Sequence, residues 1–342
     1  MATISVAILG LGRMGASIGL ALKRYNERKD AAHTFEVTYA DMRAGVREDA
    51  KKIGLDKIER DVFTTAVNRD IVVIALPYAD VQTAYKNLGN EIRPGAVVLD
   101  TSPLKQPSLG WAKQYLHKEA HLVGITPILN PKYLFDGLDD TLHAQADLFD
   151  NGNMLLMPSV TCIKEAVELA SDFSNLLGAK PHFVDPAEHD SLVAATEGLP
   201  GVVGLAVFYT MMKSQGWSDS QRLTNPPFGR LTHQLYDTHP DDLRDAWLQN
   251  RDNLVRQIDD VVGTLQTFRG ILAQNDKTAL ESALIEASDT YSAWINRRFN
   301  AKWDTKETDA NSPSIGNMLM TGFMGSFLTR RITGNKNGDE KG

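Results

Sequence analysis

The chain has 342 residues, of which 42% are hydrophobic and 23% charged, with a formal net charge of −7. That length suggests two domains, each able to bury a core, and the acidic balance without a basic stripe speaks against a nucleic-acid partner. Cys162 is the one cysteine, so no internal disulfide can form and a reducing cytoplasm is expected. The N-terminus enters a strand-like run almost at once, and no signal or transit peptide is expected.

That first run, Ile4-Ser-Val-Ala-Ile-Leu-Gly-Leu-Gly-Arg-Met-Gly15, breaks into glycines at the G-x-G-x-x-G spacing. It reads as a buried strand entering a tight turn at Gly10. Gly12, without a Cβ, would let a pyrophosphate approach, and Gly15 would let the next helix pack closely on the sheet. The helix, about residues 14–23, would aim its free amides at the phosphate, so Gly10, Gly12, Arg13, Met14 and Gly15 are expected at a cofactor. A second strand ends at Asp41, placed to accept both ribose hydroxyls, which favours NAD. Arg43, two residues on, keeps NADP open.

Strand and helix patterns then alternate, as in an α/β, doubly wound, mostly parallel sheet. Residues 44–53 read as a helix, and Asp70-Ile-Val-Val-Ile-Ala-Leu-Pro77 is too uniformly apolar for anything but a central strand. Residues 79–88 form the next helix, 96–100 a strand, 104–117 a helix, and 121–125 a strand ending at Thr126. Ligands of such sheets collect at the carboxyl ends of strands. Pro77, Asp100 to Lys105 and Thr126 to Asn130 should therefore line one crevice. Residues 131–151 look like a lid with a short helix, followed by strands at 154–157 and 181–184 around a helix at 163–177. From Pro186 strand signals vanish, and long helices are expected over 188–212, 240–272 and 277–300. The expected domains are 1–185 for the dinucleotide, 186–300 as an all-helical C-terminal domain, and 301–342 as a tail.

Taken together, these motifs resemble the prephenate/arogenate dehydrogenase family, which carries a Rossmann domain and a helical dimerisation domain. The resemblance rests on Gly10-Leu-Gly-Arg-Met-Gly15, Val97-Val-Leu-Asp100, Lys105, Val123-Gly124, Ala146-Asp-Leu-Phe149, Val184-Asp-Pro186, Glu188-His-Asp190, Leu199-Pro200, Arg230, Asp242-Leu243 and Asn250-Arg251. It spans about residues 4–287. It implies an NAD(P)-dependent oxidative decarboxylation in tyrosine biosynthesis, a small carboxylate substrate, a homodimer, no membrane span and no metal. Arg230 falls where the family places the arginine that clamps a substrate carboxylate.

Three departures stand out. The family's Gly-x-His-Pro histidine is Thr126, the serine of Asp-x-x-Ser-x-Lys is Pro103, and Ser-His-Leu-Pro-His becomes Glu197-Gly-Leu-Pro-Gly201. A threonine hydroxyl is no base near neutral pH, and a positioned general base is worth roughly 10²- to 10⁴-fold. His143 on the lid, or His233 three residues past Arg230, could compensate; either also reads as a solvated histidine. His189 reads equally as a capping, packing or functional residue, and Lys105 as either a crevice contact or a helix start. The catalytic set expected is Arg230, Thr126, Lys105 and His233. Two alternatives stay open: a different carboxylate-bearing hydroxy substrate on the same fold, or a catalytically silent dinucleotide-binding protein. The apolar segment 315–328 is too short and glycine-broken to span a membrane.

Overall fold

A computed structural model describes residues 2–89 and 91–300; the tail and its apolar segment 315–328 lie outside the described residues. The first half alternates β1 (Ala2–Leu9), α1 (Arg13–Asn26), β2 (His33–Ala40), α2 (Ala44–Lys52), β3 (Ile58–Glu59), α3 (Val62–Ala66), β4 (Ile71–Ile74), α4 (Tyr78–Leu88), β5 (Val97–Asp100), α5 (Lys105–Tyr115) and β6 (His121–Ile128). Then come β7 (Gly152–Pro158), α6 (Lys164–Leu177) and β8 (Ala179–Phe183). The strands form one eight-stranded sheet in the order β3-β2-β1-β4-β5-β6-β7-β8. All neighbours are parallel except β6 and β7.

Alternate residues of the central strands supply two cores. Val6, Ile8, Ile71, Val73 and Leu99 pack beneath α1 and α6, while Ala7, Leu9, Val72, Ile74 and Val98 pack beneath α4 and α5. Covering both faces is why β4 has no polar residue. On α6 the buried Ala166, Ala170, Phe173 and Leu177 recur at spacings of four and three, the stripe that a sheet-covering helix needs.

The helical half comprises α7 (Pro186–Val193), α8 (Leu199–Met212), α9 (Trp217–Ser220), α10 (Pro226–Thr232), α11 (Gln234–Asp237), α12 (Pro240–Gln249), α13 (Arg251–Ala273) and α14 (Lys277–Asn300). The helix expected over 188–212 is interrupted by a π turn, Ala194–Gly198. The one expected over 240–272 breaks at Asn250, whose side chain donates to the Asp190 carbonyl at 2.7 Å. The lid carries two 3₁₀ turns, Pro131–Tyr133 and Thr141–His143. Neither β3 nor α3 was expected; both are too short to show a periodic pattern.

Two compact units result, Met1–Val262 and Gly263–Gly342. Within the first unit α4 and α12 are joined: the Ala79 amide donates to Asp242 at 2.8 Å and the Tyr78 hydroxyl to Gln249 at 3.0 Å. Within this unit α8 is apolar all round, and Pro186–Met212 is the one helical stretch among the described residues long and apolar enough to cross a membrane. Gly204 gives α8 its fit to α10, since a Cβ there would lie 2.4 Å from the Leu231 carbonyl oxygen. Tyr209 and Met212 remain exposed. In the second unit the Tyr291 and Trp294 rings of α14 meet at a tilt with centroids 5.3 Å apart, and Leu272, Leu284 and Ile285 are exposed.

Candidate active site

The turn after β1 is set by Gly10, whose φ of +95° an L-residue rarely adopts. Its amide donates to the Ala40 carbonyl at 2.8 Å, tying the turn to the end of β2. Gly12 is the N-cap of α1 in ordinary extended backbone, and a Cβ built on it meets nothing within 4 Å. It therefore leaves open space in front of the first helical amides, the cradle that a pyrophosphate requires. Asp41, nearly fully buried, accepts the Leu11 amide at 2.9 Å, which sets the β2 carboxylate beside the glycine turn. Burial works to raise its pKa, but the Arg43 guanidinium and the Leu11 and Arg43 amides outweigh this and hold it below the usual carboxylate range. Arg43 donates to both carboxylate oxygens, at 3.0 and 2.9 Å. The glycine turn and the open first turn of α1 fit a dinucleotide.

Across the crevice, at the far end of β6, the Thr126 hydroxyl lies 2.8 Å from His189 Nε2. His189 Nδ1 in turn lies 2.9 Å from Asp190 Oδ1. The Asp190 carboxylate also accepts the Lys105 amide at 2.8 Å and the Gln106 amide at 2.9 Å, so it caps the start of α5 from α7. His189 and Asp190 are both closed to water. Glu197, in the π turn, has its pKa raised by burial, against the lowering influence of His189 and Lys105. π turns recur at functional sites because they push a side chain out of helical register.

Beside this row lies a cavity of about 350 Å³, walled by Tyr78, Pro103, Leu104, Asp139, Glu197 and Trp247 among others. Asp139 lines the cavity, and the loss of hydration around its carboxyl pushes its pKa up to about 6. The cavity has the size of a small-molecule pocket.

Family models match two consecutive stretches: the nucleotide-binding domain of prephenate dehydrogenase over residues 18–182, and the prephenate dehydrogenase dimerization domain over 185–286. The chain belongs to the prephenate dehydrogenase family. Prephenate dehydrogenase of Bacillus subtilis is 25% identical over 278 residues, 80% of this chain and 71% of that one. Cyclohexadienyl dehydrogenase of Zymomonas mobilis is 21% identical over 276 residues, 79% of this chain and 89% of that one. The fold is that of prephenate dehydrogenase from A. aeolicus in complex with hydroxyphenyl propionate and NAD+, at a TM-score of 0.70 and 19% identity, covering 85% of this chain and 98% of that one. Synechocystis arogenate dehydrogenase gives a TM-score of 0.62 at 19% identity, covering 85% and 100%.

Within this prephenate dehydrogenase-family site the expected residues separate. Gly10, Gly12, Gly15 and Asp41 gather at the cofactor cradle, with Met14 in the first turn of α1 and Pro77 as the N-cap of α4. Arg13 sits there too, but its guanidinium serves the lid: it donates to the Leu138 carbonyl at 2.6 Å, pairs with Asp136 at 2.7 Å and lies over the Tyr133 ring, and its Nε finds no partner among the described residues. Asp100 is fully buried, accepting the Tyr85 hydroxyl and the Ser102 amide at 2.8 and 2.7 Å, so its carboxylate holds the strand end together.

Lys105 is a fully buried tether. Its ammonium donates to the carbonyls of Asp100, Ser102 and Ile125, and burial lowers its pKa to about 8. Gly124 makes room for its stem, since a Cβ there would lie 2.9 Å from Lys105 Cδ. Arg230 is exposed on α10 and does not line the cavity. His233 pairs with Asp237 at 2.7 Å and contacts the Gly137 carbonyl, which holds the lid from the helical side. His143 pairs with Asp140 of its own turn at 2.8 Å. The imidazole at Thr126 is that of His189, a residue absent from the expected catalytic set. Its signal in the sequence was the Glu188-His-Asp190 run, where a carboxylate stands directly beside a histidine.

Proposed function

We propose that this chain is an NAD-dependent dehydrogenase of a prephenate- or arogenate-type cyclohexadienyl substrate, acting in tyrosine biosynthesis. NAD supplies the acceptor for the hydride of the ring carbinol carbon, and loss of the ring carboxylate follows as the ring aromatises. The observation that carries this reading is the placement of the Gly12 cradle and Asp41 on the same sheet edge as Thr126, beside a cavity of about 350 Å³. The chain's residues bind and orient: Asp41 takes the ribose hydroxyls, α1 amides take the pyrophosphate, and the cavity walls exclude water from the ring. Arg230 would reach a substrate carboxylate if the helical half rearranges or a second subunit completes the site.

A homodimer is supported by the family's dimerization domain together with the apolar, partly exposed α8, and by the exposed Leu284 and Ile285 of α14. A cytoplasmic location accords with a single free cysteine. The test is nicotinamide reduction with prephenate and with arogenate, each with NAD and NADP. Turnover with either supports the reading. Tight NAD binding with no turnover on either refutes the substrate class while leaving the cofactor site standing.

A further inference from the structure

We infer that Thr126 is the proton-relaying hydroxyl of this site and that His189 and Asp190 are its positioning residues, the three forming one chain from the crevice into the protein. The inference rests on the dehydrogenase reading above for its substrate, but the chain of atoms stands on its own.

The direction of each bond follows from the acceptors. Asp190 takes two backbone amides, one on each carboxylate oxygen, so it is held as an acceptor. His189 Nδ1 beside it must then carry the proton and donate. That tautomer leaves Nε2 with a free lone pair, and the Thr126 hydroxyl donates to it over 2.8 Å. The hydroxyl oxygen keeps its own lone pairs for a substrate in the crevice. Thr126 is half-buried whereas His189 is 1% exposed, so the substrate meets the hydroxyl and not the imidazole. The hydroxyl need not be a strong base, because the proton it receives and the proton it passes on move together, and the imidazole holds the charge.

As the hydride leaves the ring carbinol carbon, the proton of that carbon's hydroxyl passes to Thr126 Oγ1, and the threonine proton passes to His189 Nε2. The imidazolium is then paired with Asp190. When the ring carboxylate departs as carbon dioxide, the electron pair of the broken C–C bond aromatises the ring, and the phenolate oxygen recovers its proton through Thr126. Two electrons and one hydrogen have gone to the cofactor, and the relay ends as it began. Two carboxyl groups face the imidazole, Asp190 on its own helix and Glu197 from the π turn, and the Lys105 ammonium acts on both of them.

The test uses the full chain. Activity against pH is measured for wild type, Thr126→Ser, Thr126→Val and His189→Gln, with NAD affinity and melting temperature followed alongside. The relay requires kcat/KM to fall at low pH in wild type and in Thr126→Ser, as the imidazole becomes protonated and can no longer accept. Thr126→Ser should stay within about tenfold of wild type. Thr126→Val should lose on the order of 10²- to 10⁴-fold, the range of a positioned base, with NAD affinity unchanged, and His189→Gln should lose the low-pH limb. Wild-type rate and profile in Thr126→Val would overturn the relay. Nitrogen-15 NMR of the histidine rings reads the same chain without substrate: Nδ1 protonated and Nε2 bare is required, and the opposite tautomer overturns it even if neither prephenate nor arogenate turns over.

Discussion

Gly10 and Gly12 stand two residues apart in one motif, and the structure gives them different work. At Gly10 a Cβ would lie 2.2 Å from the Ala75 carbonyl oxygen, and φ is +95°. Gly10→Ala therefore carries a left-handed penalty of about 1–2 kcal/mol and a backbone displacement of about 1–3 kcal/mol. The sum, about 2–5 kcal/mol, is a large part of the stability of an ordinary domain, roughly 5–15 kcal/mol. At Gly12 φ is −61° and ψ −177°, and no heavy atom lies within 4 Å of the added methyl. The stiffer unfolded chain stabilises Gly12→Ala by about 0.4–1 kcal/mol, and the poorer N-cap costs about as much. Its melting temperature should hardly move. The methyl would instead stand where the pyrophosphate approaches. Losing one or two amide contacts, about 1.4–2.7 kcal/mol, weakens NAD by roughly 10- to 100-fold. Calorimetric titration of NAD and thermal melts of both variants separate the two roles. The reasoning is refuted if Gly12→Ala binds NAD like wild type, or if it melts as early as Gly10→Ala.

Asp41→Ser frees Arg43 from the carboxylate that now occupies it and removes the charge opposing a 2′-phosphate; the ratio of NADP to NAD affinity should rise at least about tenfold, or about 1.4 kcal/mol, in paired titrations. Asp190→Ala leaves the buried Lys105 amide and His189 Nδ1 without their acceptor, at about 1–3 kcal/mol for each buried group, so denaturant unfolding should show a loss of about 2 kcal/mol or more. Asp139 has a folded pKa raised to about 6. A raised carboxyl favours folding below the unfolded pKa, near 4, and that stability is lost as pH rises through about 6. Asp139→Asn should therefore melt later than wild type at pH 7, and a gap that persists unchanged at low pH would contradict the assignment.

The sheet was legible because its signals are local. Uniformly apolar runs at 71–74 and 97–99, glycines at a fixed spacing and an acidic residue closing β2 all state their role within a few neighbours. The antiparallel β7 read as a strand but not as a reversed one, since direction depends on where the lid returns the chain. The helical half was legible as helix and not as joints: the break at Asn250 answers to the Asp190 carbonyl, a partner 60 residues away that leaves no mark in the pattern.

The site divides in the same way. The amino-acid sequence by itself determined the fold class and the glycine turn after β1, because backbone sterics and apolar periodicity act over short range. Only the tertiary structure decided that Lys105 is a tether on three carbonyls, that Arg13 and His233 hold the lid, and that His189 stands behind Thr126. The physical reason is distance along the chain. Thr126 and His189 are 63 residues apart and Lys105 and Asp190 are 85, and a hydrogen bond leaves no periodic mark at such separations. It exists because β6, α5 and α7 pack into one crevice, and that packing is a property of the folded chain.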